Sequence, residues 1–237
     1  MAAKSTIPVF PKAGLRFLAE LKENNDREWF TPRKADFERD VRLPMIDLVR
    51  AVHGEMMRFA PGYVGDPAKA LFRIYRDTRF SNDKTPYKSH IAAWMKPLAA
   101  GKGESFAGFY YSLSPKVVEI AGGIYAPDAP TLLRLRQHVA EDHENFRARF
   151  ASPKFLKAAG SMMNDSLTRA PKGFDPAHPA LDLIRLKHFV VYVELDGSIA
   201  STARLFPEVV KRFEAMTPLV DYLNAVLRGL PSKHPMR

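Results

Sequence analysis

Four short runs of aromatic and β-branched residues sit in the middle of this chain, between flanks whose apolar residues recur at helical spacing. The runs are 71–75, 90–95, 106–113 and 117–121, each bounded by turn residues, and that pattern predicts strands. Ser114-Pro115-Lys116 is short enough to join the last two as a hairpin. On the N-terminal side Leu15, Phe17, Leu18 and Leu21 mark a helix, and Asp26 opens a short helical turn. Thr31-Pro32 reads as an N-cap followed by proline at the first helical position. Phe37, Val41, Leu48, Val52 and Met56 continue the stripe toward Phe59, and Pro44 interrupts it, so a kink or two abutting helices are expected there.

On the C-terminal side Asp128 and Ser152 are helix caps, the second helix stopping at Gly160. Residues 164–179 read as loop, 181–186 as helix and 189–193 as a strand, and Pro207 begins a final helix. Strands gathered between blocks of helix give an α+β fold. Its expected core is an antiparallel β-meander of about four to five strands, packed with N-terminal, middle and C-terminal helices. No repeat or polar linker forces a boundary, so a single domain over 1–237 is expected.

With 46% hydrophobic and 26% charged residues, the 237-residue chain has ample material for a core. The absence of cysteine excludes disulfides, thiolate catalysis and cysteine-ligated metal. No window reaches the about 18 continuous apolar residues of a membrane span, and the first residues lack a signal-type apolar region, so a cytoplasmic protein without membrane contact is expected. The seven histidines form no HExxH pattern, and 101–104 is too short for a P-loop and reads as a hairpin tip. No metal and no cofactor are expected. Asp175 with His178 reads as a turn, Gly122-Gly123 as a bulge, and Phe106, Phe109, Tyr110 and Tyr111 as core aromatics.

The formal charge is +10, and eight Lys or Arg against two Asp between Lys69 and Lys102 supply six of those ten charges. Within that region Arg73, Arg76, Arg79, Lys84 and Lys88 stand among only two carboxylates, Asp77 and Asp83. Arginine presents a planar fork that matches phosphate or carboxylate oxygens two at a time, so these five cations are the candidate ligand-binding residues. Asp77, Asp83 and Tyr87 are the candidate acid–base groups. In a regular strand over 71–75, Arg76 would inherit the core-facing parity. A bare guanidinium cannot stay there, so either the strand breaks or Asp77 or Asp83 pairs with it.

The partner that this density of positive charge suits is an anionic, phosphate- or carboxylate-bearing small molecule. Two other readings use the same residues: a nucleic-acid-binding stripe extended by Lys96 and Lys102, and a purely structural Arg–Asp network. A second polar knot, Asn24-Asn25-Asp26-Arg27-Glu28, precedes Trp29 and Phe30 and reads as a helix cap with a hydrophobic anchor, the alternative being a supporting role that lines the cationic segment.

The central segment resembles a family of bacterial and fungal proteins catalogued as domain of unknown function 2461. The hallmark is of the type RxxRDxRFxxxKxxY, matched by Arg73, Arg76, Asp77, Arg79, Phe80, Lys84 and Tyr87, with Lys88 following. The segments 24–30 and Gly173-Phe174-Asp175-Pro176, with His178-Pro179 and Leu186-Lys187, are similar to it as well. The resemblance covers most of the chain and implies no assigned reaction, cofactor or partner.

Overall fold

The structure, a computed structural model, describes residues 8–79, 82–101 and 103–229. Phe80 and Ser81 of the motif, and Lys102 of the basic stripe and the 101–104 hairpin tip, lie outside the described residues.

Helix α1 (Lys12–Glu23) buries Phe17, Leu18 and Leu21 and ends at Asn24, whose amide donates to the Glu20 carbonyl. The short helix α2 (Arg27–Phe30) begins at Asp26, whose carboxylate accepts the Trp29 N–H at 2.7 Å. Thr31 does not cap as expected: it has helical backbone angles, and its hydroxyl donates back to the Arg27 carbonyl at 2.6 Å. The chain stays helical because Phe30 and Phe37 must both turn their rings to Phe17, at 6.2 and 5.9 Å. It runs through α3 (Lys34–Phe37) and one wide turn at Glu38–Arg42 into α4 (Leu43–Phe59). Pro44 lies in the first turn of α4, where its missing N–H has no intrahelical partner to lose, and abutting helices result. Helix α5 (Pro67–Ala70) is capped by Asp66.

Strands β1 (Ile91–Met95), β2 (Gly108–Leu113) and β3 (Val117–Ile124) follow, then helices α6 (Ala129–Glu141), α7 (His143–Phe150) and α8 (Pro153–Ala159). Asp128 and Ser152 cap α6 and α8 through the Thr131 and Phe155 N–H groups. The remainder is β4 (Ser161–Met162), α9 (Leu181–Ile184), β5 (Phe189–Asp196) and α10 (Leu205–Arg228). The strands form a five-stranded antiparallel sheet in the order β1-β2-β3-β5-β4. The fold is α+β.

Two further expectations are corrected. The run 71–75 is not a strand: it touches neighbours only at the isolated bridges Leu71↔Ala93 and Tyr75↔Tyr87. Regular alternation fails because Ile74 is 5% exposed while Phe72, which a strand would turn to the same side, is 41% exposed. The edge strand β4 was not foreseen; its two residues, Ser161 and Met162, carry no strand pattern and pair with Tyr192 and Val191 of β5.

The residues gather into two compact units. One holds Met1–Met95, Tyr110–Ile120 and Glu194–Lys211. Its core contains Phe17, Leu18, Phe30, Phe37, Met45 and Leu48. The other holds Lys96–Phe109, Ala121–Val193 and Arg212–Arg237 and is built on the rings of Phe146, Phe150, Phe189 and Tyr222. There the Asn224 amide accepts the Ala107 N–H at 2.9 Å and donates to the Ala107 carbonyl at 3.0 Å, completing both backbone groups.

Gly122 and Gly123 lie inside β3 and serve packing. A Cβ on Gly122 would stand 2.8 Å from that of Met216, and one on Gly123, whose φ is +136°, would stand 2.1 Å from the Phe189 carbonyl oxygen. Gly123→Ala is therefore expected to lower unfolding free energy by more than about 2 kcal/mol, read from urea denaturation; an unchanged midpoint would contradict this packing.

Candidate functional site

The motif is an excursion from the free edge of β1. The Phe72 N–H donates to the Ala92 carbonyl at 2.9 Å, which starts the excursion beside the sheet. Further out, Arg76 N–H donates to the Pro86 carbonyl at 2.9 Å and Lys88 N–H to the Ile74 carbonyl at 2.8 Å. These bonds pair 74–76 with 86–88 and leave the described residues 77–79 and 82–85 as loop.

What fixes this pairing lies 62 residues away in sequence. The Asn25 side chain accepts the Tyr87 N–H and donates to the Tyr87 carbonyl, both at 3.0 Å, standing in for a neighbouring strand. Phe30 stacks on Tyr87 with centroids 4.2 Å apart, and Tyr75 closes the group at 5.4 Å from Tyr87. The knot 24–28 thus does cap a helix, through Asp26, and its Asn25 also holds the motif. Nothing local to Asn25 singles it out from the knot or names Tyr87 as its partner.

The loop is closed by its own ion pairs. Asp77 accepts from Arg79 at Nε (3.0 Å), Nη2 (2.8 Å) and the backbone N–H (3.2 Å), and this pulls its carboxyl down to about 2. Asp83 accepts the Thr85 N–H and hydroxyl at 2.9 and 2.7 Å and pairs with Arg76; these bonds, the Thr85 N–H foremost, hold its carboxyl below the usual range. Arg76 also donates to the Thr85 hydroxyl at 2.9 Å, and the Lys84 ammonium donates to the Thr78 carbonyl at 2.9 Å. Both outcomes foreseen for Arg76 occur together: the strand breaks and an aspartate pairs with it. Tyr87 is 4% exposed, and burial raises its phenol above the ordinary value.

The five candidate cations divide into two groups. Arg76, Arg79 and Lys84 have partners within the loop, whereas Arg73 and Lys88 pair with neither of its aspartates; Arg73 and Arg76 both act on Lys88. The Lys88 ammonium lies 5.0 Å over the Phe72 ring and is half-buried. Burial, then Arg73 and Arg76, lowers its pKa. Among the described residues no carboxylate stands at ion-pair distance from Lys88 or Arg73.

Sequence reasoning passed over a polar row beside these cations. The Ser112 hydroxyl on β2 donates to Glu119 on β3 at 2.8 Å. Two residues before Ser112, Tyr110 turns its ring edge to Phe72 at 6.1 Å. His90, just before β1, is half-buried; burial first, then Lys88 and Arg76, lowers its pKa, opposed by Glu119. A lone histidine in the run 90–95 was the available signal, but its neighbours Lys88, Arg76 and Glu119 come from the motif and from β3.

Other clusters have structural roles. His188 accepts the Ala126 N–H at Nδ1 (2.9 Å), faces Asp165 at 3.3 Å and stacks on Tyr125, which leaves neither ring nitrogen open as a base. Asp175 and His178 form a turn, accepting the Ala177 and Ala180 N–H groups. A groove of 560 Å³ beside Glu20, Glu23, Lys22 and Lys116 mixes both charges. Among the described residues no group of three or more His, Cys, Asp or Glu is placed to hold a metal, and no helix is long and apolar enough to cross a membrane.

The family model described as "Conserved hypothetical protein (DUF2461)" matches residues 13–222. The chain belongs to the DUF2461 family. That match takes in the whole motif, the Asn25 clamp and the polar row. No curated protein and no solved structure matches the chain.

Two outcomes follow from the geometry. Asn25→Ala leaves two buried backbone groups of Tyr87 without partners and should cost about 2 kcal/mol in chemical denaturation. Asp77 is depressed from 3.8 to about 2, so its contribution is present above pH 4 and lost as the pH falls toward 2. Asp77→Asn should therefore flatten that part of the acid limb in a stability–pH profile, and an unaltered limb would show that the Arg79 pair contributes nothing.

Proposed function

We propose that this DUF2461 protein binds a phosphate- or carboxylate-bearing small molecule at Arg73, Arg76 and Lys88. The observation that carries the reading is the half-buried Lys88 ammonium, which has no carboxylate at ion-pair distance among the described residues and is acted on by two guanidinium groups, Arg73 and the Asp83-paired Arg76. A desolvated charge among like charges is unfavourable unless a counter-charge arrives, and a phosphate from solvent supplies it with oxygens that an arginine fork can grip. Asp83 and Thr85 hold the Arg76 guanidinium in orientation. Asp77 with Arg79, and Lys84 with the Thr78 carbonyl, keep the loop closed around it. The loop pairs and the ligand cations are two halves of one motif, the first positioning the second.

The sign of the Lys88 shift gives a test. Because its folded-state pKa is lowered, the charged ammonium opposes folding at neutral pH, and an uncharged replacement of similar length relieves it. Lys88→Met should raise the melting temperature without ligand and abolish the stabilisation that inorganic phosphate gives wild type over sodium chloride of equal ionic strength. Arg73→Ala should also lose the phosphate effect. Phosphate stabilisation of equal size in both variants would refute the site.

A further inference from the structure

The cations account for one end of a ligand, and the residues beside them bear on the other. His90 precedes β1, Tyr110 and Ser112 lie on β2, and Glu119 lies on β3, so a polar row crosses three neighbouring strands. Ser112 and Glu119 face the same side, joined by the 2.8 Å hydrogen bond, and Tyr110 shares that side because strand residues two apart do. Phe72 links the row to the cations, with Lys88 5.0 Å over its ring and Tyr110 edge-on to it at 6.1 Å. At 41% exposed, Phe72 offers an apolar face in the middle of an otherwise polar surface.

The chemistry of the row selects what fits. A carboxylate accepts hydrogen bonds and does not donate, so ligand atoms meeting Glu119 must be donors that carry no negative charge. A neutral imidazole presents one donor and one acceptor, and His90 is kept in that form at neutral pH by burial and by its cationic neighbours Lys88 and Arg76. Hydroxyl groups satisfy both, and an aromatic face accommodates the C–H side of the carbon skeleton that bears them. A second phosphate or a carboxylate over the row would meet repulsion from Glu119.

We propose that the row is the hydroxyl-recognition half of the same site, and that the ligand is a phosphate ester of a polyol or sugar. Its phosphate lies on Arg73, Arg76 and Lys88, its carbon chain over Phe72, and its hydroxyls against Glu119, His90 and Tyr110. This rests on the anion reading given above, and Glu119 becomes the residue that sets specificity within it.

Calorimetric titration of the full chain with inorganic phosphate, ethyl phosphate and glycerol 3-phosphate separates the two claims. The two esters carry the same charged group, and only the second carries hydroxyls. Glycerol 3-phosphate should bind about tenfold or more tighter than ethyl phosphate, the ratio that a hydrogen bond to a charged acceptor provides. Glu119→Gln should remove that preference while leaving ethyl phosphate affinity within about twofold of wild type. Equal affinities of the two esters for wild type, or an undiminished preference in Glu119→Gln, would overturn the hydroxyl subsite while phosphate binding stands. Failure of all three to bind wild type would overturn both proposals.

Discussion

The grip of Asn25 on Tyr87 is the interaction on which the motif depends. Segment 71–76 cannot be an ordinary edge strand, because Arg76 shares the parity of the buried Ile74 and would point into the same apolar surroundings. The chain instead takes a bent path that offers few ladder hydrogen bonds. A side-chain amide supplies the missing strand neighbour, and Phe30 supplies the apolar floor beneath Tyr87. With that base fixed, Arg73, Arg76 and Lys88 are held near one another against their mutual repulsion. The same device recurs at Asn224 with Ala107, again where irregular backbone must be buried.

Charge in the motif is organised by burial more than by number. The exposed pairs Arg79–Asp77 and Arg76–Asp83 are the kind that contributes little to global stability in water. Their effect is local, limiting the freedom of a loop that packing barely touches. Lys88 is the opposite case: one cation, half-buried, is acted on by Arg73 and Arg76 and itself acts on His90. On the proposed reading an anion arriving there would meet a half-buried ammonium and a guanidinium already oriented by Asp83 and Thr85, which is how binding sites avoid the cost of ordering their own side chains.

Much of the architecture was legible because it rests on local rules. Asp26, Asp128 and Ser152 cap helices as their side chains dictate, Pro44 falls where a proline is tolerated, and β1, β2, β3 and β5 follow their β-branched and aromatic content. The misreadings came where tertiary demands overrode local preference. Thr31 gave up its capping geometry so that Phe30 and Phe37 could both reach Phe17. The run 71–75 surrendered strand regularity to bury Ile74 while exposing Phe72, and β4 exists only because β5 offers it an edge. Of the candidate site, the cations and aspartates could be named in advance and Asn25 only as one of five residues in a polar knot; His90, Ser112 and Glu119 as its companions could not.

The sequence by itself determined the α+β class, the concentration of positive charge between Lys69 and Lys102, and the need for an aspartate or a break at Arg76. Those follow from composition, periodicity and the cost of burying a guanidinium. Only the tertiary structure decided which cations are neutralised within the loop and which are not. That depends on how 74–76 pair with 86–88, a pairing held by Asn25 and Phe30 at Tyr87, and a hydrogen bond spanning 62 residues leaves no periodic trace in the chain.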